Sequence, residues 1–294
     1  MKTKNILSIS NITRNYIIAL IPLVLYGFYK NGFIVYQKGF GSLVDLFSVA
    51  LIPIISVLIA FLIEYLFSLK KFESSENSFL LLYALIMSCV VNPNIHIGIY
   101  AIVLSIVLSL LKLCTRTRNF KFNTISFGKL VFFAIFLILG TSSYLNVYEE
   151  QIPQALGFLD VLFGRSSGGL FSTSIILILI GYAFLAKTKL YKKEIPLYML
   201  VTYSIISLSV SLIFGNNEVF MSLFNGMVFF SAVFIAPEII SSPYTKKGKI
   251  AYGVFLGALT SLCVIFIHEY IGVFIAILFA SFLPKHIDSF FALK

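Results

Sequence analysis

The stretch "FIAPEIISSPYTKKGKIAYG" (residues 234–253) decides the fold, because it interrupts a long apolar run with polar and helix-breaking residues. Pro237, Glu238 and Pro243 are followed by three lysines, and apolar sequence stands on both sides. A proline lacks the backbone N–H group that a helix interior needs, so helices usually end near it. The stretch therefore predicts an apolar helix that ends in a polar, non-helical segment.

The composition of the 294 residues identifies the class of protein. Hydrophobic residues make up 59% of the chain, charged residues make up 12%, and the mean hydropathy is +0.99. This leaves too little polar surface to cover a water-soluble globule, so an integral membrane protein in a lipid bilayer is predicted. The formal net charge is +10, but the basic residues form short clusters between apolar runs. That pattern is typical of a membrane surface, and nucleic acid is not expected as a partner.

A helix needs about 20 apolar residues to cross the hydrocarbon core of a bilayer. That window predicts ten membrane spans, several of them short. The predicted spans are residues 15–35, 45–69, 78–92, 96–115, 128–145, 169–187, 195–214, 219–237, 249–267 and 270–284.

The distribution of lysine and arginine predicts the orientation. With the N-terminus in the cytoplasm, all but three of the 22 basic residues fall in cytoplasmic segments, and Lys129 is counted among these. The exceptions are Lys30, Lys38 and Arg165, whereas the longest outer loop carries Glu149 and Glu150. By the positive-inside rule, we expect a multi-pass protein of the bacterial cytoplasmic membrane with both termini in the cytoplasm.

A second stretch, "VVNPNIHIGIY" (residues 90–100), resembles the first in design, since Asn92 and Pro93 also end an apolar helix. The two stretches are five predicted helices apart, so a five-helix unit used twice would be inserted upside down the second time. We therefore predict an all-α fold of two inverted five-helix membrane repeats, residues 1–145 and 169–294, joined by an extracytoplasmic loop over residues 146–168. The alternative is that both stretches are ordinary loops between spans.

The stretch at residues 234–253 also resembles a motif of the NqrB/RnfD family, whose members are membrane subunits of the sodium-pumping NADH:quinone reductase and of Rnf-type electron-transport complexes. Three further stretches resemble the family in the same order: "RNYIIALIPLVLYGFYKNGF", "FNTISFGKLVFF" and "GRSSGGLFSTSIILILIGYAFL". The closing "FIAILFASFLPKHID" (residues 274–288) resembles the last helix of the family. The resemblance covers nearly the whole chain and implies a helix arrangement similar to that of urea channels. The matching residues of the first motif are Ala236, Glu238, Ser242, Pro243, Thr245, Lys247, Gly248, Tyr252 and Gly253.

The sequence departs from the family at the flavin attachment site. The family carries a Ser/Thr-Gly-Ala-Thr motif whose threonine bears FMN, and nothing between Gly140 and Gly168 matches it. The Gly-Glu-x-Ser pattern at the start of helix six reads Gly169, Leu170, Phe171 and Ser172 here, so the acid is missing. Covalent FMN is therefore not expected, while FMN or riboflavin bound without a covalent link stays compatible with the resemblance.

Cysteine and histidine do not form the pairs that bind metal centres. The three cysteines and three histidines are each isolated in the sequence, so no haem, iron–sulfur cluster or metal site is expected. They are Cys89, Cys114, Cys263, His96, His268 and His286. A redox role would therefore need partners that bring the other cofactors.

Four residues are candidates for an ion path or polar cavity: Glu64, Asn92, Pro93 and Glu238. Glu64 lies in a predicted span, where an isolated charge costs about 2.5–3.5 kcal/mol. It is interpreted either as an ion-path residue or as an interfacial acid paired with Lys70 or Lys71. Glu238 is interpreted either as facing a polar cavity at a re-entrant turn or as a solvated acid balancing the lysines that follow it.

Eight residues are candidates for flavin contacts. Ser167 and Gly169 precede an apolar helix whose first N–H groups suit an anionic or carbonyl-rich ligand, although a loop with an N-cap explains them equally. Ser172 and Ser174 either line a cavity or bond to their own helix. The others, which belong to the motifs that carry the resemblance, are Asn123, Ser242, Pro243 and Thr245.

Three functions remain open from the sequence. The first is a membrane subunit of an Rnf-like or Nqr-like complex, supporting electron transfer through flavin held here or on flavin-bearing partners, with coupling to cations. The second is a small-solute channel or secondary transporter, which inverted repeats also suit. The third is a subunit with a purely structural role.

Overall fold

The computed structural model describes residues 2–69, 79–116, 122–140, 143–144, 157–215 and 217–292, and within them the regular structure is helical with no strand. The predicted all-α class is confirmed. The helices are α1 (Lys2–Phe28), α2 (Leu43–Leu69), α3 (Phe79–Val90), α4 (Ile97–Arg116), α5 (Thr124–Ile138), α6 (Phe158–Phe163), α7 (Ile175–Leu185), α8 (Glu194–Phe214), α9 (Asn217–Ser222), α10 (Gly226–Phe230), α11 (Lys246–Phe266), α12 (Gly272–Ala280) and α13 (Pro284–Ala292).

Four helical stretches of the described chain are long and apolar enough to cross a membrane, namely Asn11–Gln37, Leu43–Ser68, Glu194–Phe214 and Lys246–Phe266. A fifth is obtained if α12 and α13, which bend by 50°, count as one broken span. Other apolar helices are shorter: α3 has 12 residues, which is about 18 Å of helix against a core of about 30 Å. Ten crossings in two inverted repeats therefore remain a prediction.

The outward-facing side chains fit a lipid environment. Ile138, Phe266, Phe214 and Leu212 are 75% or more exposed, and further large apolar side chains of α2 and α8 are exposed as well. Water-soluble proteins rarely expose apolar surface on this scale, because each buried square ångström contributes about 25 cal/mol. The chain is a multi-pass membrane protein.

Local sequence explains where several helices begin. α2 starts with a capping box in which the Ser42 N–H donates to Asp45 Oδ2 over 2.8 Å and the Asp45 N–H donates to Ser42 Oγ over 3.3 Å. The side chains of Asn123 and Thr245 accept from backbone N–H groups in the first turns of α5 and α11. Two residues from the predicted site motifs are thus helix caps.

Small residues let α8 and α11 pack closely. A Cβ atom at Gly253 would lie 3.0 Å from Ile195 O, and one at Gly257 would lie 2.5 Å from Met199 O. The spacing of these glycines places both on one face of α11, as in the Gly-x-x-x-Gly contacts of membrane helices. Any side chain at Gly257 would push the two backbones apart.

Two predicted spans have different bounds in the structure. The helix predicted over residues 169–187 begins only at Ile175, because residues 168–174 are buried, non-helical backbone that pairs with the end of α3. The span predicted over residues 128–145 is helical from Thr124 to Ile138. Lys70, Lys71, Glu149, Glu150 and residues 146–156 of the predicted outer loop lie outside the described residues.

Candidate functional site

The first break, residues 91–96, follows the C-terminus of α3. A helix end leaves its last carbonyl groups unpaired, and a membrane interior offers no water to bond them. Here one lysine and a buried backbone segment supply three donors. The bonds run from Lys129 Nζ to Val90 O (2.6 Å), from Leu170 N to Val91 O (2.8 Å) and from Phe171 N to Cys89 O (3.0 Å).

Lys129 is a buried lysine on the second turn of α5, with 1% of its surface exposed. Its Nζ lies 4.9 Å from the ring centre of Tyr144 and 5.9 Å from that of Phe274. Among the described residues, no carboxylate oxygen lies within 4.0 Å of it. Lys129, counted from the sequence among the basic residues of cytoplasmic segments, lies in the protein interior and not in a solvent-exposed loop. Its amine donates to the carbonyl end of α3 and lies against two aromatic faces.

The second break, residues 236–245, follows α10 and the π-helical turn Ser231–Ile235. The carbonyl groups of the π-helical turn and of the break are paired by side chains that come from other parts of the chain. The bonds run from Tyr191 Oη to Val233 O (2.9 Å), from Asn123 Nδ2 to Ile235 O (3.0 Å) and from Lys192 Nζ to Ile239 O (3.0 Å). The predicted end of the helix before Pro237 is confirmed, and the non-helical backbone after it lies largely in the interior.

Glu238 is the centre of the second break. Tyr83 Oη and Thr124 Oγ1 donate to its Oε1 over 2.7 and 2.9 Å, and Ser241 Oγ donates to its Oε2 over 2.6 Å. The residue is 9% exposed, and no basic nitrogen of the described residues lies within 4.0 Å of the carboxylate. The interpretation of Glu238 as a solvated acid therefore does not hold. It is a buried carboxylate at the positive N-terminal end of α5.

A small cavity adjoins the Glu238 carboxylate. Its volume is about 30 Å³, and Tyr16, Tyr83, Phe234 and Glu238 are among its lining residues. That space holds about one water molecule or an ion of similar size.

Lys192 also donates hydrogen bonds to the second break. Its Nζ donates to Ser242 O over 2.8 Å and to Ser242 Oγ over 2.7 Å, and it lies 4.2 Å from the ring centre of Tyr244. Ser242 Oγ in turn donates to the carbonyl oxygen of Glu238. Sequence reasoning missed Lys192 and Tyr83, since nothing local in the sequence links them to this break.

The predicted site residues Pro243 and Thr245 lie where the second break joins α11. Pro243 is buried, and Thr245 Oγ1 donates to Asp288 Oδ1 over 2.7 Å. The backbone N–H of Thr245 also donates to Asp288 Oδ1, over 3.0 Å. The structure thus brings Asn123, Glu238 and Ser242 together, while Thr245 fixes α13 to the break.

The predicted flavin segment is tightly packed. The carbonyl oxygens of Ser166 and Leu170 accept hydrogen bonds from Lys30 Nζ and Asn31 Nδ2, each over 2.6 Å. A Cβ atom at Gly169 would lie 2.8 Å from Cys89 O. The backbone N–H groups of Leu170 and Phe171 are not available to a ligand, because they already donate to Val91 O and Cys89 O.

The predicted flavin contacts Ser167, Gly169, Ser172 and Ser174 line neither of the two cavities described for the chain. Ser172 Oγ is buried with no hydrogen-bond partner among the described residues, and Ser174 caps α7 without a side-chain bond. As packed, the segment does not fit a flavin ring.

A larger cleft of about 330 Å³ lies at the first break. Pro93 and Asn94 line it together with Asn31, Asp45 and His96. Asn92 is buried beside it, with 1% of its surface exposed. The polar lining contains a carboxylate and an imidazole but, like the rest of the described chain, no group of three metal-ligating side chains.

Glu64 stands apart from both breaks. It lies on α2, its Oε1 is buried without a hydrogen-bond partner in the described chain, and Lys112 of α4 is the charged group that acts on it. Its predicted partners Lys70 and Lys71 lie outside the described residues. The structure does not bring Glu64 together with Glu238.

A family profile matches nearly the whole chain, and individual relatives match about half of it. The sequence profile of the NQR2, RnfD, RnfE family matches residues 2–294. The D-type subunit of the proton-translocating ferredoxin:NAD(+) oxidoreductase complex of Clostridium ljungdahlii is 30% identical over 42% of this chain and 38% of its own length. The D-type subunit of the ion-translocating oxidoreductase complex of Methanosarcina acetivorans is 29% identical over 51% of this chain and 49% of its own length.

A third relative represents the other branch of the resemblance. The B-type subunit of the Na(+)-translocating NADH-quinone reductase of Chromohalobacter salexigens is 30% identical over 48% of this chain and 36% of its own length. The matches therefore span less than half the length of these relatives. The match of the family profile, by contrast, extends from residue 2 to residue 294, and it includes both breaks. The chain belongs to the NQR2, RnfD, RnfE family.

Proposed function

We propose that the chain is a membrane subunit of an Rnf-like or Nqr-like ion-translocating electron-transport complex, and that Glu238 is a binding station for the translocated cation. The observation that carries the proposal is the buried Glu238 carboxylate, which is surrounded by hydroxyl groups and, among the described residues, has no basic nitrogen within 4.0 Å. The relatives named above are subunits of ion-translocating complexes, which supports the same function.

The chemistry around Glu238 suits a small hard cation. Such ions prefer oxygen ligands, and the carboxylate, Tyr83 Oη, Thr124 Oγ1 and Ser241 Oγ together present five oxygen atoms. The adjoining cavity of about 30 Å³ has the size of one dehydrated ion or one water molecule. A buried acid inside a membrane protein is costly and marks ion or proton pathways in general.

We further propose that residues 1–145 and 169–294 are two inverted five-helix repeats, with both chain termini in the cytoplasm. Supporting this, α3 and α10 are both short helices that end in breaks whose carbonyl groups need donors from elsewhere in the chain. Non-helical backbone is tolerated at membrane depth only under that condition.

We propose that flavin is bound by partner subunits and not by this chain. The packed segment at residues 168–174 does not fit a flavin ring, so electrons would pass through flavin-bearing subunits that dock on this chain. Other membrane subunits of the complex would complete the path. An absorption spectrum of the isolated chain tests this part, since a flavin spectrum from the chain alone would contradict it.

The main experiment replaces Glu238 with glutamine in the intact complex, in membrane vesicles energised by the electron donor. We expect cation uptake to fall at least about tenfold, because glutamine keeps the size of the side chain but loses its charge, and 1.4 kcal/mol of lost binding corresponds to a factor of ten. Electron transfer should continue at a rate within about twofold of the unchanged complex. Glu194→Gln is the matched control, because it removes the acid of a partly exposed pair with Lys249 at 3.8 Å and leaves Glu238 unchanged.

Unchanged cation uptake in Glu238→Gln would contradict the proposal. Glu64→Gln in the same assay tests the second acidic candidate.

The alternative of a solute channel makes a different prediction. In that case the purified chain alone would admit a small neutral solute into liposomes, and Glu238→Gln would leave redox-driven cation uptake unchanged.

A further inference from the structure

Exposed lysines gather on the surface outside the second break. Three lie in the segment between α7 and α8, two begin α11, and one is on α13. Tyr244, with 65% of its surface exposed, comes just before the two lysines of α11. The six lysines, here called the lysine patch, are Lys187, Lys189, Lys193, Lys246, Lys247 and Lys285.

Hydrogen bonds hold the three segments of the lysine patch side by side. Lys192 Nζ, from the segment before α8, donates to Ser242 O of the second break over 2.8 Å. The backbone N–H of Tyr244, two residues further on, donates to Asp288 Oδ2 of α13 over 2.9 Å. The lysine patch is therefore one continuous surface.

The positive charge of the patch is not balanced by exposed acids. Residues 182–198, 236–252 and 284–292 contain three acids, and each of them is buried or half-buried. Glu194 pairs with Lys249 at 3.8 Å, Glu238 lies in the interior, and Asp288 accepts from backbone N–H groups at the start of α11. Within these described segments, the exposed charges are positive, so a partner of negative charge fits them.

The patch lies at the level of the bilayer surface. The stretches Glu194–Phe214 and Lys246–Phe266 are long and apolar enough to cross a membrane, so their first residues lie where the hydrocarbon core ends. The contact between Lys249 and Glu194 places the starts of both spans at the same level. Lysine side chains at such positions extend into the layer of lipid headgroups.

The composition of the patch favours lipid over protein as the partner. Leu190, Ile240 and Phe290, between 47% and 59% exposed, stand among the lysines. Cations interspersed with apolar side chains are typical of segments that lie in the membrane interface. Protein interfaces, by contrast, are enriched in arginine and depleted of lysine, and the three segments contain no arginine.

We propose that the lysine patch binds the phosphate headgroups of anionic phospholipids. The ammonium groups attract the phosphates, while Tyr244 and the exposed apolar side chains contact the lipid below the headgroup. Each lysine near an anionic membrane surface raises affinity by about fivefold. This site is independent of the proposed role of Glu238.

The chain contains no tryptophan, so a single introduced tryptophan reports on the lipids beside it. Tyr244→Trp places this reporter in the lysine patch. The purified full chain is reconstituted in vesicles of phosphatidylcholine and phosphatidylglycerol, and one of the two lipids carries bromine, which quenches a neighbouring tryptophan. Exchanging the brominated lipid gives the relative affinity of the two lipids for the site.

We expect phosphatidylglycerol to bind beside the reporter at least about fivefold more tightly than phosphatidylcholine. Lys246→Gln/Lys247→Gln should abolish most of this preference, whereas Lys38→Gln, which removes an exposed lysine outside the patch, should leave it unchanged. Salt at about 1 M should weaken the preference, because it shortens the screening length to about 3 Å.

Leu212→Trp is the matched control reporter. Leu212 is 75% exposed near the other end of α8, about 28 Å from Lys193 along the helix axis. Phosphatidylglycerol and phosphatidylcholine should quench this reporter with equal affinity.

Equal affinities of the two lipids at Tyr244→Trp would overturn the proposal. So would an equally strong preference at Leu212→Trp, or one that survives Lys246→Gln/Lys247→Gln. If Tyr244→Trp is not recovered, Phe290→Trp on α13 carries the reporter. A patch without lipid preference that binds an acidic soluble protein would also overturn the proposal, since the lysines would then form a protein interface.

Discussion

The two breaks solve the same physical problem with different groups. At each, a short apolar helix ends inside the protein and its carbonyl groups need donors. The first break uses the backbone N–H groups of Leu170 and Phe171 and a single lysine, Lys129. The second break uses side chains, among them Asn123, Tyr191 and Lys192.

The difference has consequences for charge and for tolerance to mutation. The first break contains the buried amine of Lys129, which has no acid within 4.0 Å among the described residues. The second break instead surrounds the carboxylate of Glu238 with the hydroxyl groups of three side chains. Backbone pairing requires close approach of two chain segments, whereas a bond from one side chain can be lost while the others remain. We therefore expect the first break to be the more sensitive to added volume.

Gly169→Ala should have the largest effect of the stability variants. A Cβ atom there would lie 2.8 Å from Cys89 O and 2.9 Å from Val90 Cα, so residues 168–174 would be pushed from the end of α3. We expect the free energy of unfolding to fall by about 3 kcal/mol, at the upper end of overpacking effects. Chemical denaturation in mixed micelles would measure it.

Gly98→Ala is the control for Gly169→Ala, because its nearest contact beyond the neighbouring residues would be an ordinary 3.4 Å to His96 Nδ1. Equal stabilities for the two alanine variants would show that close backbone pairing does not hold the first break.

Lys192→Met should have an intermediate effect, at the second break. The carbonyl oxygens of Ile239 and Ser242 would lose their charged donor while the apolar stem of the side chain is kept. A buried acceptor without a partner costs about 1–3 kcal/mol, so we expect a loss of about 2 kcal/mol by the same denaturation measurement. Lys193→Met changes the adjacent lysine and serves as control. A loss as large in Lys193→Met would show that Lys192 has no special part in the second break.

Tyr83→Phe should have the smallest effect. The variant removes one of two hydroxyl donors to Glu238 Oε1 and leaves Thr124 in place, so we expect a loss of about 1 kcal/mol. Tyr182→Phe removes the bond from an exposed hydroxyl group to Lys193 O and should cost less. If Tyr83→Phe lowered the free energy of unfolding more than Gly169→Ala, the second break would be the more sensitive to mutation, contrary to this expectation.

Local sequence was sufficient to locate both breaks. Pro93 and Pro237 stand where apolar helices end, and the motif around residues 234–253 pointed to Glu238 and Ser242. It was not sufficient for the helix predicted from residue 169, which begins at Ile175. Glycine, serine and apolar residues in that segment are compatible with a helix start, and its backbone bonds to Cys89 and Val91 accompany the non-helical conformation.

The sequence by itself determined that this is an all-α membrane protein of a recognisable family, since hydropathy, proline positions and short motifs are properties of neighbouring residues. The tertiary structure alone decided which donor meets which acceptor. Lys129 and Val90 are 39 positions apart, and Tyr83 and Glu238 are 155 apart. Such pairs depend on how helices pack in three dimensions, and that packing is governed by close contacts that no local pattern records.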